Sequence, residues 1–171
     1  MQNYLKIISV VFLLTACATT PISERQALIL IPLSQEIALG KQAYQQTLKD
    51  QVDSKSTHLN QVLRRVGQRI VEVSDMPKLE WEFRLIESEE KNAFALPGGK
   101  VAVYTGMLRI CENEAGLATV LSHEIAHVIA RHGAQRMSQQ ILLSGAMMGA
   151  SISLKNNTQR SIIMGALGLG V

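Results

Sequence analysis

The segment His123-Glu124-Ile125-Ala126-His127 places two imidazoles four residues apart, with a carboxylate directly after the first. Four residues on a helix advance about 400°, so both rings leave one face a turn apart and can close on a single metal ion, for which zinc is the usual choice. Glu124 then lies beside the ligand pair, where a carboxylate can take a proton from water as a general base. The chemistry this spacing points to is metal-assisted hydrolysis, with His123 and His127 as ligands to one Zn2+ per chain and Glu124 as the catalytic carboxylate. A purely structural His pair is the competing reading.

The flanking residues argue for the metal reading, because they supply the helix that the spacing requires. Leu117, Val120, Leu121, Ile125, Val128 and Ile129 recur at three and four, the stripe of a long helix with one buried side. Asn113 or Glu114 opens it, after a short helical turn from Thr105 or Gly106 through Ile110. Gly116 is an oddity inside that helix, costing roughly 1 kcal/mol relative to Ala.

Upstream, Ser34 can cap a helix whose face is Ile37, Ala38, Ala43, Tyr44 and Leu48. A second helix fits His58 to Val73, with Leu59, Val62, Leu63, Val66, Ile70 and Val73 on one side and Arg64, Arg65, Gln68 and Arg69 on the other. His58 has no neighbouring His or Cys and is read as an exposed residue at a helix end. After Pro77 the period changes to two: Leu79, Trp81, Phe83 and Leu85 alternate with charged residues, as on a strand buried on one face. Asn92 to Leu96 and Lys100 to Tyr104 form two further strands, joined by Pro97-Gly98-Gly99 into a hairpin. Glu87, Glu89 and Glu90 read as a solvated connecting loop in preference to a cation site. The fold class expected is α+β, with a small sheet, the metal-bearing helix and a helical tail.

At 171 residues the chain has room for one domain, and its net charge of +3 is mild. Every acid lies at or before Glu124, and the four later bases are scattered through apolar sequence without aromatic company, which is not the footprint of a nucleic-acid binder. Residues 1–17 read as an export signal: Lys6, an apolar run from Ile7 to Leu14 too short to span a bilayer, and the small-residue site Leu14-Thr15-Ala16-Cys17. That site resembles a bacterial lipobox, which makes Cys17 the residue to be lipidated. With Ala18 following it, resemblance to lipoprotein sorting implies the outer membrane, facing the periplasm. Residues 18–33 read as a tether and residues 34–171 as the domain. Cys111 is left without an intrachain partner and reads as a small buried apolar residue. The tail runs Ile141–Leu154 and Ile162–Val171 are too short to span a membrane and suit a helical hairpin or a membrane-surface contact.

Together, Asn92-Ala-Phe-Ala-Leu-Pro-Gly-Gly-Lys-Val-Ala-Val-Tyr-Thr-Gly-Met-Leu108 and Glu114 through Gly133 resemble the zinc metalloprotease family that includes HtpX and the CAAX prenyl proteases, and within it the periplasmic lipoprotein members. The resemblance implies a zincin-like domain, with His123 and His127 as zinc ligands and Glu124 as base. It also implies that Asn92, Ala93, Phe94 and Ala95 form a sheet edge along which an extended substrate lies. That family takes its third ligand from a Glu-x-x-x-Asp segment beyond a Gly-rich stretch, whereas no Asp or Glu follows Glu124 here, so the chain is expected to be truncated before that ligand. His132 does not substitute on an unbroken helix: nine residues after His123 it would face the opposite side, so it is read as structural, capping or pairing near the helix end.

The function expected is a membrane-tethered zinc endopeptidase acting on unfolded or misassembled envelope proteins. Its rival is an inactive, truncated lipoprotein that serves as a chaperone or assembly scaffold. The lipobox reading has a direct check: a radioactive fatty acid should label the wild-type protein in cells, while Cys17→Ser should be unlabelled and soluble in the periplasm. Acylation and membrane retention of the variant would overturn the assignment.

Overall fold

The computed structural model describes residues 17–19 and 26–148. Their elements are β1 (Cys17–Thr19), β2 (Gln26–Leu28), α1 (Leu33–Thr47), α2 (Thr57–Glu72), β3 (Glu82–Ile86), β4 (Ala93–Leu96), β5 (Lys100–Tyr104), α3 (Thr105–Cys111), α4 (Glu114–Ile129) and α5 (His132–Met148). This is a mixed helix and small-sheet architecture, as the period changes along the sequence imply. Of the helix starts expected from sequence, Asn113 caps α4, whereas Ser34 does not cap α1, whose N-cap Pro32 makes no side-chain hydrogen bond; α2 is capped by Ser56. The Ser56 hydroxyl accepts the Leu59 N–H at 3.3 Å, and the Asn113 side chain accepts the Gly116 N–H at 3.0 Å.

The hairpin forms as expected, β4 antiparallel to β5, with Gly98 and Gly99 both at positive φ in the reversal. Sheet order is β3-β5-β4, with β3 running parallel to β5. Phe83, Leu85, Val101 and Val103 therefore point to one face, where they join Leu63, Val66, Leu117, Leu121 and Ile125 from α2 and α4. The other face carries Phe94, Leu96, Ala102 and Tyr104 against Ala43, Tyr44 and Leu48 of α1 and its C-terminal end. The sheet is thus covered on both faces, which is why β5 is apolar at four successive positions and does not alternate.

The two outer strands differ. Residues 52–54 run beside β3, where Ser54 N–H donates to Leu85 C=O at 2.9 Å and Glu87 N–H to Val52 C=O at 2.8 Å. Along β4, Tyr104 N–H donates to Asn92 C=O, which makes Asn92 a hydrogen-bonded partner of β5 and, by alternation, Phe94 and Leu96 as well. Ala93 and Ala95 are left with their peptide groups directed at the open edge.

The segment expected to be a tether is engaged with the domain in its later half. Ile31 is buried, and the Ser138 hydroxyl on α5 accepts the Leu30 N–H at 2.9 Å. Farther back, β1 pairs with β2, Cys17 opposite Leu28. No helix among the described residues is long and apolar enough to cross a membrane. Helix α5 includes the start of the first tail run; the remainder of the expected hairpin lies outside the described residues.

Gly116 is explained by a close approach. A Cβ there would lie 2.1 Å from the Cys111 carbonyl oxygen, where α3 ends and the chain reverses into α4 through Glu112 at φ 60°. Gly116→Ala should therefore destabilise the protein by about 1–3 kcal/mol, the overpacking cost outweighing the roughly 1 kcal/mol that Ala gains in a helix. Urea unfolding monitored by circular dichroism measures this, and a stabilised variant would refute the steric account.

Candidate active site

Helix α4 carries the site on the side turned away from its core stripe. Leu117, Leu121, Ile125 and Ile129 are buried, while His123 is exposed and Glu124 and His127 are half-buried. His123 follows Leu121 by two residues, about 200° around the axis, which directs its ring outward. The two rings meet as the spacing requires: His123 Nε2 and His127 Nε2 are 3.0 Å apart, with the ring planes at 85°. Two nitrogens that close can share a proton or a cation. On a tetrahedral zinc with bonds of about 2.0–2.1 Å they would stand roughly 3.3 Å apart, so the pair fits such an ion with a shift of a few tenths of an ångström. Burial first, and electrostatic interaction with His132, His123 and Arg136 after it, lower the pKa of His127 from the usual histidine value, a direction that favours the neutral form able to ligate.

Glu124 points at the sheet edge. The Ala95 N–H, one of the two directed away from β5, lies near enough to favour its charged carboxylate. Burial raises the Glu124 carboxyl above its ordinary range, opposed by the nearby His123 and by the Ala95 N–H. The arrangement thus brings two potential ligands, one basic carboxylate and an open strand edge together. It can bind an extended chain and deprotonate a water next to a cation.

Of the four edge residues expected to meet substrate, only Ala93 and Ala95 present backbone groups outward. Phe94 does not fit that role: its backbone faces β5 and its ring is buried between Tyr44 and Tyr104. Asn92 is exposed, but its carbonyl is occupied by Tyr104. The acids at 87–90 behave as surface residues, Glu89 pairing with Arg109 and Glu87 accepting from Thr105 at 3.4 Å. No group of three or more His, Cys, Asp or Glu side chains among the described residues is arranged to hold an ion, so none of them adds a third protein ligand.

The chief surprise is His132. The unbroken helix assumed from sequence ends at Ile129; Ala130 caps it, Arg131 takes φ 55°, and α5 begins at His132. The turn carries the His132 ring to His127, the two Nδ1 atoms 2.6 Å apart. The expectation that His132 pairs near the helix end holds, but the partner is the ligand candidate itself. Nothing in a linear helical projection indicates it; Gly133 just beyond is the only local hint of a helix break.

With this geometry in place, comparison with known proteins decides the family. The model of Peptidase family M48 matches residues 57–170. The chain belongs to peptidase family M48. It is 36% identical to the mitochondrial metalloendopeptidase OMA1 of Schizosaccharomyces pombe over 93% of this chain and 48% of that protein. It is 30% identical to its Saccharomyces cerevisiae counterpart over 78% of this chain and 43% of that protein. Against the beta-barrel assembly-enhancing protease of Escherichia coli it is 40% identical over 82 residues, 48% of this chain and 17% of that protein. The M48 chain therefore spans less than half the length of these relatives. The family is one of peptidases, and the OMA1 relatives are named metalloendopeptidases.

Cys111 lies outside the site. It is buried at the end of α3, and burial pushes its thiol up, away from the reactive thiolate. In a Cys17→Ser background, Ellman's reagent at pH 7.5 should leave the folded protein unlabelled and react with one thiol after denaturation. Rapid labelling of the native protein would contradict this burial.

Proposed function

We propose that this protein is a zinc-dependent endopeptidase of the bacterial cell envelope, held to the outer membrane by a lipid on Cys17 and acting on unfolded or misassembled envelope proteins. The observation that carries the catalytic part is the His123 and His127 Nε2 pair beside a Glu124 carboxylate that rests on the open edge of β4. The envelope part draws support from the lipobox-like Leu14 to Cys17 and from the similarity to a protease named for beta-barrel assembly. Zincin-like architecture and a place among the periplasmic lipoprotein members of the family belong to the same proposal.

In this reading His123 and His127 hold the ion, which when bound supplies positive charge to polarise the scissile carbonyl and acidify the attacking water. An extended substrate segment adds to β4, hydrogen-bonding the outward peptide groups of Ala93 and Ala95 in the manner of strand augmentation. That pairing sets one peptide bond beside Glu124. Glu124 takes a proton from the attacking water and returns it to the leaving amine nitrogen. The raised basicity of its half-buried carboxylate suits both transfers. Membership of a peptidase family does not favour the inactive-scaffold alternative.

Glu124→Gln should keep the fold and the bound metal while lowering peptide hydrolysis by about 10²–10⁴-fold, because the amide is nearly isosteric but cannot accept the proton. The measurement is cleavage of an unfolded outer-membrane protein by the complete gene product, with metal content determined alongside. Activity within about tenfold of wild type would remove Glu124 from the role. The His123→Ala, His127→Ala double variant should lose the metal altogether.

A further inference from the structure

We propose that His132 is a positioning residue for the metal site: its Nδ1 accepts the Nδ1–H of His127, which commits the Nε2 lone pair of His127 to the ion. The inference rests on the reading of His123 and His127 as ligands. The two Nδ1 atoms lie 2.6 Å apart, and the His127 and His132 rings meet edge to face, their centroids 4.8 Å apart. At that distance one nitrogen donates and the other accepts. A neutral imidazole carries one proton, so a His127 that ligates through Nε2 must carry it on Nδ1. The acceptor is then His132 Nδ1, and the His132 proton sits on Nε2. His132 contacts the side of the His127 ring opposite to the one that faces His123, so it acts behind the ligand and is not itself a third ligand.

The surrounding structure is built to hold His132 there. On a continuous helix, a residue five after His127 would lie about 140° away around the axis. The chain instead turns at Arg131, whose positive φ costs an ordinary residue conformational energy and so must be held by contacts. Those contacts come from the other end of the sequence. Arg131 Nε donates to Glu36 Oε2 at 2.8 Å, and its terminal nitrogen donates to the Ile31 carbonyl at 3.1 Å. Glu36 is only 2% exposed, so α1 grips the turn from inside the protein. The path runs from Glu36 through Arg131 and His132 to His127, ordering a ligand that lies 91 positions from Glu36 in the chain. Outer hydrogen-bond partners of this kind typically affect metal affinity by 10–100-fold.

Two substitutions separate this role from simple packing. In His132→Leu the acceptor is gone, whereas in His132→Asn the side-chain oxygen takes the place of Nδ1. Zinc titration of the purified full chain should show about 10–100-fold weaker binding for His132→Leu and near-wild-type binding for His132→Asn, with thermal unfolding confirming that both fold. In the metal-free protein, long-range 15N–1H correlation spectra should place the His127 proton on Nδ1 in wild type and His132→Asn. It should move to Nε2 in His132→Leu. Equal zinc affinity in wild type and His132→Leu, or an Nε2–H tautomer of His127 in wild type, would overturn the proposal. So would a His132→Asn variant as weak as His132→Leu. Unchanged zinc binding in the His123→Ala, His127→Ala double variant would instead overturn the ligand assignment on which this inference stands.

Discussion

The packing of α4 against the sheet sets where every reacting group can be. Leu121 and Ile125 are 0% and 1% exposed, and burying such side chains contributes roughly 1.5–3 kcal/mol each. The surface ion pair Arg65–Glu114, both partners about half exposed, falls in the class worth about 0–1 kcal/mol. Apolar burial therefore orients the helix, and the ion pair only decorates its start. Once the stripe of Leu117, Leu121, Ile125 and Ile129 is fixed inward, the helical period leaves His123 and His127 together on the outer flank. The small side chains of Ala93 and Ala95, packed into the same cluster, let β4 come close enough for its backbone to reach Glu124.

A second constraint acts at the other end of α4. Burial holds Glu36 above its ordinary carboxyl range even though Arg131 donates to it, so desolvation outweighs the attraction. Such a pair is a poor source of net stability, yet it is geometrically strict because either partner alone would be left uncompensated. What it fixes is the left-handed turn at Arg131 and with it the direction of α5. The buried Ser138 reinforces the same junction by accepting Leu30 N–H while donating to Ala134 C=O at 2.7 Å. Residues far from the proposed reaction thus determine how the ligand-bearing helix ends.

The difference between the two sheet edges gives the proposed substrate mode its physical basis. Residues 52–54 occupy part of the β3 edge, whereas β4 directs the peptide groups of Ala93 and Ala95 away from β5, with Ala95 near Glu124. An open strand edge is a template for another chain, and one that is short and has a carboxylate beside it is restrained from pairing with its own copies.

Local period and local chemistry were enough for the elements: α1, α2, β4, β5 and α4 begin within about two residues of where caps, glycines and apolar spacing put them. The His123, Glu124 and His127 group was legible for the same reason, since a ligand pair one turn apart needs only the helix on which it sits. Strand β3 starts later than the alternation from Leu79 implies, because Trp81 is drawn aside, its ring N–H donating to the Met76 carbonyl at 3.0 Å. The parallel placement of β3 against β5, the outward turn of Ala93 and Ala95, and the inward turn of Phe94 depend on pairing between distant segments that no single period encodes. His132 marks the boundary most clearly. Its sequence distance from His123 fixes its direction only while the helix continues, and the helix stops because Glu36 and the Ile31 carbonyl, about a hundred positions away, hold Arg131 in a turn. Sequence alone determined which residues can do chemistry, because side-chain type and helical spacing are local. Tertiary structure decided which of them meet, because the contacts that end a helix and leave a strand edge open come from elsewhere in the chain.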